Sequence, residues 1–234
     1  MKFRRRRRRL AATALLPFAA TMSTAGLVAA PPGLGQELPP DESAPGGGVP
    51  PADDGRAPTK TKIHADKNVL AGKSVRVSGT VKPAVGGQQV TVHVPGSDKT
   101  TKTGPGGKFS IEWSPPGPGE YKVQAGAEGT DTTTGSESKS LKVTAYRKAE
   151  ASWYGPGLYG NPTACGGTLT PGTMGVANKT LPCGTKLTLR YGGRSVKVEV
   201  IDRGPYSGNR EFDLTAAVKQ KLGFPSTGTV LASK

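Results

Sequence analysis

Two carboxylates carry most of the chemistry that this sequence can offer. Asp202 stands in the run Val198-Glu-Val-Ile-Asp-Arg-Gly-Pro-Tyr206, and Asp213 follows eleven residues later in Phe212-Asp-Leu214. An alternating strand that ends in Asp-Arg-Gly-Pro brings a carboxylate, a guanidinium and an aromatic ring to one rim of a β structure, where ligand sites concentrate. Two such acids can divide general acid and general base work when burial raises the pKa of one of them. Arg203 would oppose that rise if it points at the pair. Two plainer roles compete: Asp202 can accept hydrogen bonds from turn amides, and Asp213 can cap a helix or favour its first turn.

The elements that must position these acids are short. Strands are expected at about 150–155, 173–178, 185–191, 195–201 and 228–233, with Gly192-Gly193 forming a tight hairpin between two of them. One helix is expected from Asp213, because Leu214, Ala217, Val218 and Leu222 share a face, Asp213 or Thr215 can cap it, and Gly223 can close it. A small barrel with one packed helix accounts for this layout, with Trp153 inside it.

The whole chain has 234 residues, 34 of them Gly and 21 Pro, which leaves little room for long helices. Its formal charge is +15; removing Lys2 and Arg4 to Arg9, seven charges, leaves 25 bases against 17 acids, or +8. That balance suits an anionic wall polymer. Nucleic acid is not expected, since the bases are dispersed and no basic recognition helix or basic-aromatic motif occurs.

Residues 1–30 read as an export signal: an Arg run, an apolar stretch from Leu10 to Ala20, then small residues ending Val28-Ala-Ala30 or Ser23-Thr-Ala25. The apolar stretch is too short to span a bilayer and is broken by Pro17. The mature protein is expected to be secreted, wall-associated, without a stable membrane anchor, and monomeric. Residues 31–60 form a Pro/Gly-rich spacer too poor in apolar groups to fold. Residues 61–146 alternate in short strands separated by Gly and Pro clusters, the pattern of a β-sandwich. In an exported chain Cys165 and Cys183 are expected to pair, a link worth about 3 kcal/mol. Two thiols make no zinc site, and His64 and His93 lie in the other domain, so neither metal nor cofactor is expected. The fold class is thus all-β, a sandwich at 61–146 followed by a barrel at 149–234.

Several segments carry resemblances. Lys102-Thr-Gly-Pro-Gly-Gly-Lys-Phe-Ser-Ile111 resembles a hairpin of bacterial immunoglobulin-like domains. Ala151-Ser-Trp-Tyr-Gly155, Thr163-Ala164, Ala177-Asn-Lys-Thr-Leu-Pro-Cys-Gly-Thr185, Ile201-Asp-Arg-Gly-Pro205 and Asp213-Leu-Thr-Ala-Ala217 together resemble the rare lipoprotein A (RlpA) family, in preserved order. The resemblance implies a six-stranded double-psi β-barrel acting on peptidoglycan, in active members as a lytic transglycosylase. Two positions depart from that family: Gly167 stands where it has Glu, and Asn178 where it has His. Phe212-Asp-Leu214 and the paired cysteines also resemble expansins, which loosen wall polymers without efficient hydrolysis.

On that resemblance Asp202 and Asp213 are the candidate acid and base. Hydrolysis would need both carboxyls, at about 5 or about 6.5–9.5 Å. Lytic transglycosylation can use one, because the muramic acid's own 6-hydroxyl attacks. Tyr154, Tyr159 and Tyr206 sit in Gly-rich loops and offer flat rings with polar edges to sugar faces. Thr163, Asn178 and Arg203 complete the candidate sugar contacts. Three readings follow: a transglycosylase of peptidoglycan or another wall glycan, a non-catalytic wall-binding or wall-loosening module, and a protease-inhibitor-like barrel.

Overall fold

A computed structural model describes residues 55–234; the expected export signal and the expected spacer up to residue 54 lie outside the described residues. The described chain is all-β apart from one short α-helix and a 3-10 turn at Pro105–Gly107. In order, its strands are β1 (Lys60–His64), β2 (Asn68–Leu70), β3 (Val75–Lys82), β4 (Gln89–His93), β5 (Lys99–Lys102), β6 (Lys108–Trp113), β7 (Gly119–Ala127) and β8 (Ser136–Glu137). Next come β9 (Leu141–Tyr154), β10 (Gly175–Asn178), β11 (Lys186–Tyr191), β12 (Arg194–Asp202) and β13 (Phe212–Thr215), then helix α1 (Ala216–Leu222) and β14 (Gly228–Ala232).

The period of two in the first half sorts its side chains onto two faces. β3 lies between β1 and β6 in an antiparallel three-stranded sheet. β4, β5, β7 and the first part of β9 make the facing layer. Val75, Val77, Val81, Val90, Val92, Phe109 and Trp113 meet in one core between them. Every buried valine or larger side chain in such a core contributes about 1.5–3 kcal/mol.

β9 links this half to the barrel. Its 14 residues pair with β7 over Leu141–Ala145 and with β14 over Arg147–Ala151. Glu120 on β7 braces the junction by accepting a hydrogen bond from Thr188 on β11 at 3.0 Å and pairing with Lys142 and Lys197.

The barrel closes in the order β13, β10, β12, β11, β14, β9 and back to β13. The β10/β12 and β13/β9 pairs are parallel and the other four antiparallel. Closure removes the open edges that six short strands would otherwise expose. Val176, Leu189, Val198, Val200, Phe212 and Leu214 fill the interior, and α1 packs Val218 and Leu222 against it.

Two expectations change here. The stretch read as a helix start is the sixth strand: Asp213 lies inside β13, and α1 begins at Ala216. Thr215 holds the N-cap position without a side-chain cap, because its Oγ1 accepts from the Gly175 amide at 3.3 Å. Gly223 does close the helix in the left-handed region at φ 66°. Trp153 packs against the barrel core but is only half-buried, with the Lys219 ammonium 4.3 Å above its ring.

Candidate functional site

Strand register decides which side chains meet. On β13, Phe212 and Leu214 point into the core, so Asp213 must point out. On β9, Ala149 and Ala151 point in, so Ser152 and Tyr154 point out. On β10, Val176 points in and Ala177 out. Asp213 stands opposite Ser152 on one side and Ala177 on the other.

β12 brings the second acid to the same row by an irregularity. Val200 pairs with Val176, but the next pair is Ala177 with Asp202, so Ile201 is skipped. A bulge of this kind re-aims the residue after it. The row across four strands reads Asp202, Ala177, Asp213, Ser152. Two strand spacings separate the acid backbones, about 9.5 Å, with Ala177 on the strand between them. Among the described residues neither acid is in a salt bridge.

The two environments differ. Asp213 accepts from the Ser152 hydroxyl at 2.6 Å through Oδ1. Burial pushes its carboxyl above the usual range; Ser152 and the Arg210 charge pull the other way without winning. Asp202 turns Oδ1 to two backbone donors, Ala164 N–H at 2.9 Å and Arg203 N–H at 2.8 Å. The Tyr154 hydroxyl is buried and meets no partner with hydrogen-bond geometry. Burial first, then the charges of Asp202 and Asp213, push its ionisation well above the usual phenol range. The hydroxyl therefore stays protonated within reach of both carboxylate fields.

The loop between β9 and β10 supplies one wall. Gly160 and Leu169 exchange backbone bonds with the opposite arm of a small hairpin, and its tip is the turn from Thr163 to Gly167. Gly166 and Gly167 there have φ of 94° and 82°, a region that side chains resist. Two ties hold the tip against the end of β12, Ala164 to Asp202 and the Cys165 amide to the Ile201 carbonyl at 3.2 Å, and the Cys165–Cys183 disulfide, with Cα atoms 5.5 Å apart, ties it to the β10–β11 loop.

The remaining candidates divide by what their polar atoms do. Asn178 is 1% exposed; its amide donates to the Glu211 carbonyl at 3.0 Å and its oxygen accepts from the Thr180 and Leu181 amides. Arg203 points away from the acids and donates to the carbonyls of Asn178 and Leu181 and to Cys183 Sγ. The charge that opposes the raised Asp213 carboxyl is that of Arg210. Thr163 is buried and donates to the Gly166 carbonyl at 2.6 Å. Tyr159 and Tyr206 are exposed, Tyr206 at 81%. Sequence reasoning missed Ser152, Ala177 and Arg210. Ser152 was findable from the in-out alternation of Ala151-Ser-Trp; Ala177 depends on pairing that only the closed barrel provides, and Arg210 on the return of the β12–β13 loop to Asp213.

Residues 146–232 match the family described as lytic transglycolase. A probable endolytic peptidoglycan transglycosylase RlpA of Synechocystis is 44% identical over 80 residues, 33% of this chain and 25% of the relative. The endolytic peptidoglycan transglycosylase RlpA of Neisseria meningitidis is 43% identical over 34% of each chain. The Aquifex aeolicus relative, named a probable enzyme of the same kind, is 38% identical over 40% of this chain and 42% of its own. The chain thus spans between a quarter and about two-fifths of the length of these relatives.

Proposed function

We propose that this chain, whose residues 146–232 belong to the RlpA-like double-psi β-barrel family, engages peptidoglycan glycan strands in the wall and cleaves them as a lytic transglycosylase. The observation that carries the reading is the row Asp202, Ala177, Asp213, which sets two carboxyls without ion-pair partners on the strands either side of Ala177. The environments favour a division of labour. Asp213, held toward its neutral form by burial, donates a proton to the departing glycosidic oxygen. Asp202, with Oδ1 occupied by amide donors, takes the proton of the muramic acid 6-hydroxyl on its other oxygen. The 6-oxygen bonds to the anomeric carbon as the glycosidic C–O bond breaks, so no water is consumed and the new end is a 1,6-anhydro sugar. Transfer back from Asp202 to Asp213 restores the starting protonation, and the buried Tyr154 hydroxyl, kept protonated by burial and by the charges of both acids, leaves the site with no third ionised group of its own.

Exposed Tyr206 and Tyr159 would flank the gap as sugar platforms. Asn178, Arg203 and Thr163 would act indirectly, by holding the loops that flank Asp202. Residues 1–30 would direct export, 31–60 would act as a tether, and 61–146 would form an immunoglobulin-like unit ahead of the barrel, with the mature protein a monomer in or beside the wall.

A purified chain incubated with glycan strands stripped of stem peptides tests the reading. Mass spectrometry should find 1,6-anhydromuramic ends that increase with time. Retention on the strands with no new ends would instead assign a wall-binding module. Inhibition of a papain-like protease without retention would assign a protein-binding barrel.

A further inference from the structure

The outer face of the β1-β3-β6 sheet holds cationic charge in a way the barrel's proposed chemistry does not use. Val75, Val77, Val81 and Phe109 point into the core, which leaves the alternate residues of these strands outside. Lys60 pairs directly with Lys82, and Lys62 and Lys108 flank Thr80 in the adjoining row. Lys102 from β5 and Arg76 from β3 complete the patch around a concavity of about 790 Å³. Between residues 55 and 146 there are thirteen Lys and Arg and seven Asp and Glu. This face takes six of the bases and one acid, Glu112, for a net +5; the remainder of that segment holds seven bases and six acids, a net +1.

Like charges set opposite each other across a sheet are destabilising. Here Lys60 and Lys82 face each other with no acid in the row, and among the described residues none of the five lysines is in an ion pair. Lysines on edge strands also discourage edge-to-edge association, but Lys82 lies on the central strand, where that role does not apply. The charges are spread over two strand spacings and two rows about 6.8 Å apart along the strands, so a single small anion cannot reach them all. Hydroxyls of Ser78, Thr80 and Ser110 lie between them and can bond to phosphate or polyol oxygens.

We propose that this face binds a phosphodiester-linked polyol or sugar polymer of the cell wall and holds the barrel beside its substrate. The repeated charge identifies a polyanion, and lysine serves phosphate as a compact point charge; that the polymer is a wall polymer rests on the function proposed for the barrel.

The test uses the full chain and its variant Lys62→Gln/Lys82→Gln/Lys108→Gln, with Lys67→Gln/Lys99→Gln/Lys139→Gln as an equal charge change elsewhere on the same half. Co-sedimentation with purified Gram-positive walls is compared with the same walls after chemical removal of phosphodiester polymers. The first variant should bind native walls about a hundredfold more weakly, with a shallower salt dependence. The second should bind like wild type, and stripped walls should not distinguish the three. Equal retention of the two variants, or an undiminished preference for the face after stripping, overturns the proposal. So does equally tight binding of single-stranded DNA, which would make the face a general polyanion patch. Stripped glycan strands lack the phosphate polymer, so cleavage of them by all three proteins, or by none, is decided separately from retention.

Discussion

Replacing Asp213 with Asn should make the protein more stable at neutral pH while removing the cleavage proposed for it. Burial raises the Asp213 carboxyl, and the opposing help from Ser152 and Arg210 does not cancel it. In the interval between the ordinary aspartate value, about 3.9, and the raised native one, the folded protein binds more protons than the unfolded chain. Stability therefore falls as pH rises through that interval and stays lowered above it. Asn keeps an oxygen for the Ser152 hydroxyl, at 2.6 Å from the carboxylate in the wild type. Exchanging a charged acceptor for a neutral one loses about 1 kcal/mol of that bond, which the removal of a half-buried charge more than offsets. Partial exposure keeps the net gain small, up to about 1 kcal/mol or about 2–4 °C in Tm for a domain of this size. Thermal unfolding from pH 3 to pH 8 checks it: the curves of wild type and Asp213→Asn should coincide at the acid end and separate, variant higher, as pH rises. Release of anhydro ends should fall by about 10²–10⁴-fold in the same variant. A variant less stable than wild type at pH 7, or a difference that does not depend on pH, would refute the assignment of a buried, reluctant carboxylate.

Other perturbations probe the supporting frame. Arg203→Met should destabilise by about 2–3 kcal/mol through the carbonyls of Asn178 and Leu181 that lose their donor, as read by denaturant unfolding. Cys165→Ser with Cys183→Ser opens a link of sequence separation 18, with a loss of about 3 kcal/mol, and should lower activity further because the Ala164 amide no longer holds Asp202. Ala177→Leu overpacks a position only 4% exposed between the acids; it should cost about 1–3 kcal/mol in denaturant unfolding and lower the release of anhydro ends. Gly167→Glu restores the acid of the RlpA pattern where an added Cβ meets nothing within 4 Å, although its φ of 82° adds strain of about 1–2 kcal/mol; more anhydro ends per hour than wild type are expected.

The sequence resolved some of this and hid the rest for identifiable reasons. Strands with several alternations, such as Arg194–Asp202, were visible, as were the Gly192-Gly193 hairpin and the glycine that ends the helix. β13 was not, because four residues give barely one alternation and Leu214, Val218 and Leu222 continue a helical spacing through it. Its strand form is imposed by β9 and β10 on either side. The bulge at Ile201 leaves no local signature either, yet it sets where Asp202 points. Asn178 and Arg203 looked like sugar contacts by residue type; their partners are backbone carbonyls and amides brought near by loop closure, which no spacing in the chain reveals.

The most direct measurement is a double-mutant cycle on the rate at which stripped glycan strands gain 1,6-anhydromuramic ends, using Asp202→Asn, Asp213→Asn and both together. Groups that act on one bond are strongly non-additive, so each single variant should lose nearly all activity and the double variant should be hardly worse. Full activity in either single variant, or losses that simply multiply, would contradict a shared site across Ala177.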